Sequence, residues 1–113
     1  MNSDSEFLPL GVLQEQILVA VLRTRDDAYG MNVRREIERV TDRSLAIGAV
    51  YATLDRLEEK GLLLSRRLMD GGTSRRMFEV TAEGARALAQ TRAMRERLWS
   101  GVDVKHLMKL AAD

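Results

Sequence analysis

The sequence predicts a mainly α-helical chain with one small β-hairpin, closed by a long C-terminal helix. Three observations carry that expectation. Apolar residues recur at helical spacing through four successive segments. The period changes from 3.6 to 2 after Gly61, on either side of a glycine pair. No proline falls after Pro9 to interrupt any of these patterns.

With 113 residues, the chain has the size of one domain with a modest core. It contains no cysteine, so disulfides, thiolate metal sites and cysteine nucleophiles are excluded. Neither an export leader nor an apolar run of about 20 residues is present, which points to a cytoplasmic protein with no membrane partner. The net charge is only +1, but the charge is unevenly spread. Met1 to Leu22 carries no Lys or Arg, whereas Ser65 to Arg76 carries Arg66, Arg67, Arg75 and Arg76 against Asp70 alone.

Met1 to Glu6 is polar and reads as a frayed end. Pro9 suits a first helical turn, and Leu10, Leu13, Ile17, Leu18, Ala20 and Val21 give a buried helix to about Thr24. Asp26 and Asp27 form a polar corner. Tyr29 and Gly30 open a second helix to about Thr41, with Val33, Ile37 and Val40 inward and Arg34, Arg35, Glu38 and Arg39 solvated. A short turn, Thr41-Asp42-Arg43, leads to a third helix with Ser44 as its N-cap and Gly61 as its stop.

That third helix is unusual. Val50, Leu54 and Leu57 make an apolar stripe, while Gly48, Ala49, Ala52 and Thr53 leave the opposite face thin, with Tyr51 beside them and Arg56 a turn further on. So thin a face fits either the DNA major groove, about 12 Å wide, or a closely packed protein helix.

Beyond Gly61, Leu62, Leu64 and Leu68 are expected to face inward, alternating with Leu63, Ser65 and Arg67. Phe78 and Val80 do the same on the return strand, against Met77 and Glu79. Met69 to Thr73 forms the turn, rich in residues that tolerate positive φ. Thr81 caps the last long helix, with Glu83 in its first turn. Ala85, Leu88, Ala89, Met94, Leu98, Trp99 and Val102 are its apolar residues, and Leu88, Met94, Leu98, Trp99 and Val102 are expected at a dimer interface. Gly101 breaks the helix, and Asp103 caps a short amphipathic segment carrying Val104, Leu107, Met108 and Ala111.

Three helices followed by a basic, glycine-tipped hairpin is the winged helix-turn-helix plan. In it the third helix reads the major groove and the hairpin, or wing, reaches phosphates. The expected organisation is a DNA-binding unit over residues 1-80 and a C-terminal dimerisation helix over 81-113. The expected DNA-binding residues are Ser44, Gly48, Ala49, Tyr51, Ala52, Thr53 and Arg56 of the third helix, with Arg66, Arg67, Thr73, Ser74, Arg75 and Arg76 of the hairpin. A winged-helix module that binds protein instead of DNA is the alternative.

Tyr29-Gly30, the run from Gly48 to Gly61, and Arg75-Arg76 leading to Thr81-Ala82-Glu83-Gly84 resemble the PadR family of bacterial transcriptional regulators, over about Leu10 to Trp99. The resemblance implies a homodimer, usually a repressor, on a near-palindromic operator, with Tyr51 near the DNA backbone. In some relatives a tryptophan at a similar place on the dimerisation helix lines an inter-subunit pocket and stacks on flat drugs, which would give Trp99 a role toward a small aromatic effector. The plainer role for Trp99 is to fill a dimer core. The chain departs from many members in having Phe78 where they carry tyrosine, and in a shorter, less proline-rich wing turn. Its short C-terminal part resembles the small-subfamily members.

Nothing points to catalysis. His106 is the sole histidine, lies in the terminal amphipathic segment, and has no cysteine to work with. Gly71-Gly72 sits in a hairpin tip, not in a phosphate loop after a strand. No enzyme activity, metal or cofactor is expected.

Overall fold

The structure is a computed structural model and describes residues 8–113, so the expected fraying of Met1 to Glu6 lies outside the described residues. The order of elements is α1 (Val12–Thr24), a 3-10 turn (Arg25–Asp27), α2 (Gly30–Thr41), α3 (Ile47–Glu59), β1 (Leu63–Asp70), β2 (Thr73–Val80), α4 (Ala82–Ser100) and α5 (Val104–Ala112). The mainly α winged-helix plan is therefore observed.

The core lies where α1, α2 and α3 meet, and the base of the hairpin closes it. Ile17 and Leu18 of α1, Val33 of α2, and Val50, Leu54 and Leu57 of α3 are fully buried, with Leu63 and Phe78 from the strands. A two-stranded hairpin is marginal alone, and these strand residues give it a layer to rest on. Ala28 adds a further tie, its carbonyl accepting from the Phe78 amide at 2.9 Å while Tyr29 bridges Met77. Tyr29 thus runs along the outer edge of β2 before turning into α2.

Four sequence expectations are corrected. Pro9 precedes helix α1, whose N-cap is Gly11, so it lies before the helix and not in its first turn. Val40 is 54% exposed because Ile37 already fills the inward position at the end of α2. Helix α3 starts after Ala46, not Ser44. The reason is that Leu45 is pinned in the turn, its carbonyl accepting from Arg34 Nε at 2.8 Å and its amide donating to Glu38 Oε2 at 2.7 Å. Two side chains expected to be merely solvated thus hold the helix-turn-helix corner.

The fourth correction concerns strand parity. Leu63 pairs with Val80 and Ser65 with Phe78, so β1 turns its odd residues toward the helices. Leu64 and Leu68 face away and are 55% and 40% exposed. Leu62, Leu63 and Leu64 are consecutive, so they carry no alternation of their own. The turn is also tighter than expected: only Gly71 and Gly72 link the strands, at φ 56° and 85°, as a two-residue hairpin loop demands.

Thr81 caps α4 as expected, accepting from the Gly84 amide at 3.0 Å, and its hydroxyl donates to the Gly61 carbonyl at 2.6 Å. Among the described residues, α4 packs on its own chain as far as Met94, through Gly84, Ala87, Leu88, Thr91 and Met94. The buried Thr91 hydroxyl accepts from the Leu10 amide at 3.1 Å. Glu15 of α1 pairs with Arg95 at the outer limit of this contact. Past it, Leu98, Trp99 and Val102 are 70%, 52% and 43% exposed. Asp103 caps α5 by accepting from the Lys105 and His106 amides, and every residue of α5 is exposed.

Candidate nucleic-acid interface

Helix α3 buries one stripe completely and shows the other. Gly48, Ala49, Tyr51, Ala52 and Arg56 are exposed, and no side chain larger than a methyl projects at positions 48, 49 and 52 in the first two turns. Thr53 belongs to the same region, but its hydroxyl donates back to the Ala49 carbonyl at 2.8 Å. That leaves its methyl as the outward group. Ser44 is exposed in the turn before the helix.

Tyr51 is held by α2. A methyl group built on Gly30 would lie 2.4 Å from Tyr51 Cζ and 2.5 Å from its Oη. The phenol therefore rests directly on the Gly30 backbone at the start of α2, and only a glycine leaves it room. No sequence pattern assigned Gly30 this part.

The hairpin stands beside Tyr51. Tyr29, Met31 and Arg35 of the α2 N-terminus, Tyr51 of α3, and Arg67, Ser74, Arg75 and Arg76 of the hairpin line one open notch. The Arg75 guanidinium stacks on the Tyr29 ring at 4.5 Å, which places its charge at the rim. Arg67 reaches Ser74 Oγ at 3.4 Å across the strands. Arg66 lies on the hairpin face opposite Arg67, the face that also carries Arg75, and pairs with Glu79 at 3.3 Å. Thr73 is exposed at the tip.

Arg76 is the exception among the hairpin arginines. Its guanidinium turns to helix α3, Nη1 lying 2.7 Å from Asp55 Oδ1 and Nη2 2.5 Å from Glu58 Oε1. It stacks over Phe78 at 4.8 Å, and Nε donates to Ser65 Oγ at 3.2 Å. Glu58 accepts in addition from the Ser65 amide at 3.1 Å. Hydrogen bonds from Ser65 and from Arg76 hold the Glu58 carboxyl below the ordinary carboxylate range. Sequence spacing places Arg75 and Arg76 together, and the strand sends them to opposite faces.

Such a site can lay backbone and small side chains against a groove while presenting cations and a phenol to phosphates. Among the described residues, no group of three or more His, Asp or Glu side chains is arranged to hold a metal ion. No described helix is long and apolar enough to cross a membrane.

Comparison with known proteins agrees with this geometry. The family model described as "Transcriptional regulator PadR-like family" matches residues 17–90. The chain is similar to the transcriptional regulator Rv3488 of Mycobacterium tuberculosis, with 34% identity over 73 residues, covering 65% of this chain and 67% of that protein. It also resembles the crystal structure of a PadR family transcriptional regulator from Eggerthella lenta. That match has a TM-score of 0.64 and 26% identity, and covers 81% of this chain and 80% of that one. A PadR family regulator from Clostridium difficile matches in fold, with a TM-score of 0.60, 24% identity, and coverage of 91% and 100%. These relatives are transcriptional regulators and not enzymes. From Ile17 to Gln90 the match runs through all three helices, the wing and the first half of α4, and this chain belongs to the PadR-like family of transcriptional regulators.

Proposed function

We propose that this chain is a homodimeric repressor that binds near-palindromic operator DNA. The thin α3 face enters the major groove, and the wing holds the adjacent backbone. One observation carries this reading: the small-residue face of α3 opens beside the notch where Tyr51, Arg67 and Arg75 converge. A face used only for protein packing has no need of cations at its margin. In this reading Gly48, Ala49 and Ala52 lie nearest the bases, with Arg56 and Ser44 toward the flanking backbone. Tyr51, Thr73, Ser74, Arg67 and Arg75 meet phosphates, and Arg66 adds charge from the hairpin face that also carries Arg75.

The dimer forms through the C-terminal segment, residues 81–113. The exposed Leu98, Trp99 and Val102 support this, as do the exposed Val104, Leu107, Met108 and Leu110 of α5. An apolar strip of this length is poorly suited to water, and a two-fold copy covers it with the same residues. Trp99 fills that seam, and two copies approaching across the axis would leave a slot for a planar aromatic effector. Such an effector acts only through its different affinity for the DNA-competent and incompetent spacings of the two α3 helices.

The test is a pair of glutamate substitutions, Ala49→Glu and Ala52→Glu. Each drives a carboxylate against phosphates and abolishes duplex binding while the protein stays folded and dimeric. Retained affinity in both variants would mean that another surface reads DNA, or that the domain serves as a protein-binding module. A monomer by sedimentation at micromolar concentration would overturn the dimer.

A further inference from the structure

Arg76 of β2 bridges the hairpin and helix α3 through side chains of opposite charge. It contacts Asp55 at 2.7 Å, Glu58 at 2.5 Å and Ser65 at 3.2 Å, with its flat face on Phe78. A guanidinium is the one side chain that can serve all of these at once, because its fork is planar and its donors diverge in fixed directions. Its own side chain is 28% exposed, against 54% for Asp55 and 31% for Glu58. Asp55 lies one helical turn beyond Tyr51, so the bridge joins the wing to the very segment that presents the reading face.

We propose that Arg76 is a positioning residue, a brace that sets the angle of the wing to helix α3, and not one of the wing's phosphate contacts. This deepens the DNA-binding reading and rests on it. Two consequences separate the roles. A phosphate contact needs only charge and reach, which lysine supplies. A brace needs the fork, which lysine lacks. Removing the Glu58 charge frees Arg76 for phosphate under the first role, and slackens the wing under the second. The brace also offsets one of the two negative charges of Asp55 and Glu58, which would otherwise repel the backbone beside the groove more strongly.

The experiment uses the full chain and a duplex enriched by the wild-type protein from a random-sequence pool, with a scrambled duplex of equal length as reference. The readout is the ratio of the two affinities, since a simple change of charge alters both alike. For Arg76→Lys and Glu58→Gln the brace predicts a ratio lower by about tenfold, the size of coupling usual between contacting residues. Arg75→Lys, at a position that meets phosphate, keeps the ratio near that of wild type. An unchanged ratio in either Arg76→Lys or Glu58→Gln overturns the brace, whatever the change common to both duplexes. Amide exchange decides the question independently of DNA: Arg76→Lys speeds exchange at Ser65 and Phe78 if the brace holds the wing. Exchange as slow as in wild type overturns it. If wild type enriches no duplex at all, the DNA-binding reading fails, while the exchange result still decides the brace.

Discussion

Replacing Gly84 by alanine should destabilise the domain, although it adds a helix-favouring residue to the first turn of α4. On propensity alone, glycine to alanine within a helix gains about 1 kcal/mol. Here the added methyl would lie 2.1 Å from the Leu62 carbonyl oxygen and 3.0 Å from Val80 Cγ1. An ordinary carbon–oxygen contact is about 3.3 Å, so the start of α4 would have to back away by roughly 1 Å. The obstacle is backbone, and it cannot rotate aside. That retreat strains the Thr81 amide bond to Leu62, at 3.2 Å, and the Thr81 hydroxyl bond to Gly61, at 2.6 Å. Overpacking costs about 1–3 kcal/mol and a weakened N-cap about 1 kcal/mol. Less the propensity gain, the net loss is about 2 kcal/mol. At about 4–8 °C per kcal/mol for a domain of this size, Tm should fall by roughly 10 °C. Thermal unfolding followed by circular dichroism, at one fixed protein concentration, measures it. A Gly84→Ala variant as stable as wild type would show that α4 and the β1 entry do not approach so closely.

Gly30→Ala should behave differently, because its methyl meets the far end of a side chain that is 37% exposed and able to swing into solvent. Stability should change by less than about 1 kcal/mol while duplex affinity falls several-fold, and unchanged affinity would remove Tyr51 from the interface. Hydrogen bonds from Arg39 and then Arg23 hold the Glu36 carboxyl at about 2, below its ordinary value. Its stabilising effect is therefore complete above the unfolded pKa, about 4.3, and is lost as pH falls toward 2. The Tm gap between wild type and Glu36→Gln should accordingly be constant above pH 5 and shrink below pH 4; a gap that persists at pH 2 would refute this. Trp99→Ala should weaken the dimer by a few kcal/mol, as a lost buried aromatic does. Wild-type fluorescence quenched by a flat cationic dye, with a matching shift in duplex affinity, would add the effector role, and no response to any dye would leave Trp99 a packing residue.

The parts of the fold that were legible in the sequence are those fixed by local periodicity and turn chemistry. The α3 stripe of Val50, Leu54 and Leu57, the Gly71-Gly72 turn, the Thr81 and Asp103 caps and the Tyr29-Gly30 opening of α2 all follow from residues a few positions apart. What escaped depends on contacts distant in sequence. Leu62-Leu63-Leu64 has no parity until Ser65 is seen bonded to Glu58 on the helix side. Gly30 and Gly84 look dispensable until Tyr51 and the Leu62 carbonyl are placed against them. Arg75 and Arg76 read as one basic pair, yet Tyr29 takes one and Asp55 with Glu58 takes the other. By residue type Ser44 reads as the N-cap, but the Arg34 and Glu38 bonds to Leu45 shift the helix start by two residues.

The most direct measurement is the slope of log affinity for duplex DNA against log salt concentration, for wild type and for Arg75→Ala. A wing that neutralises phosphate gives wild type a steep negative slope, and loss of one contact reduces its magnitude by about 0.9 while weakening all sequences alike. A wild-type affinity indifferent to salt would contradict DNA binding through this face, and an unchanged slope in Arg75→Ala would remove the wing from the backbone.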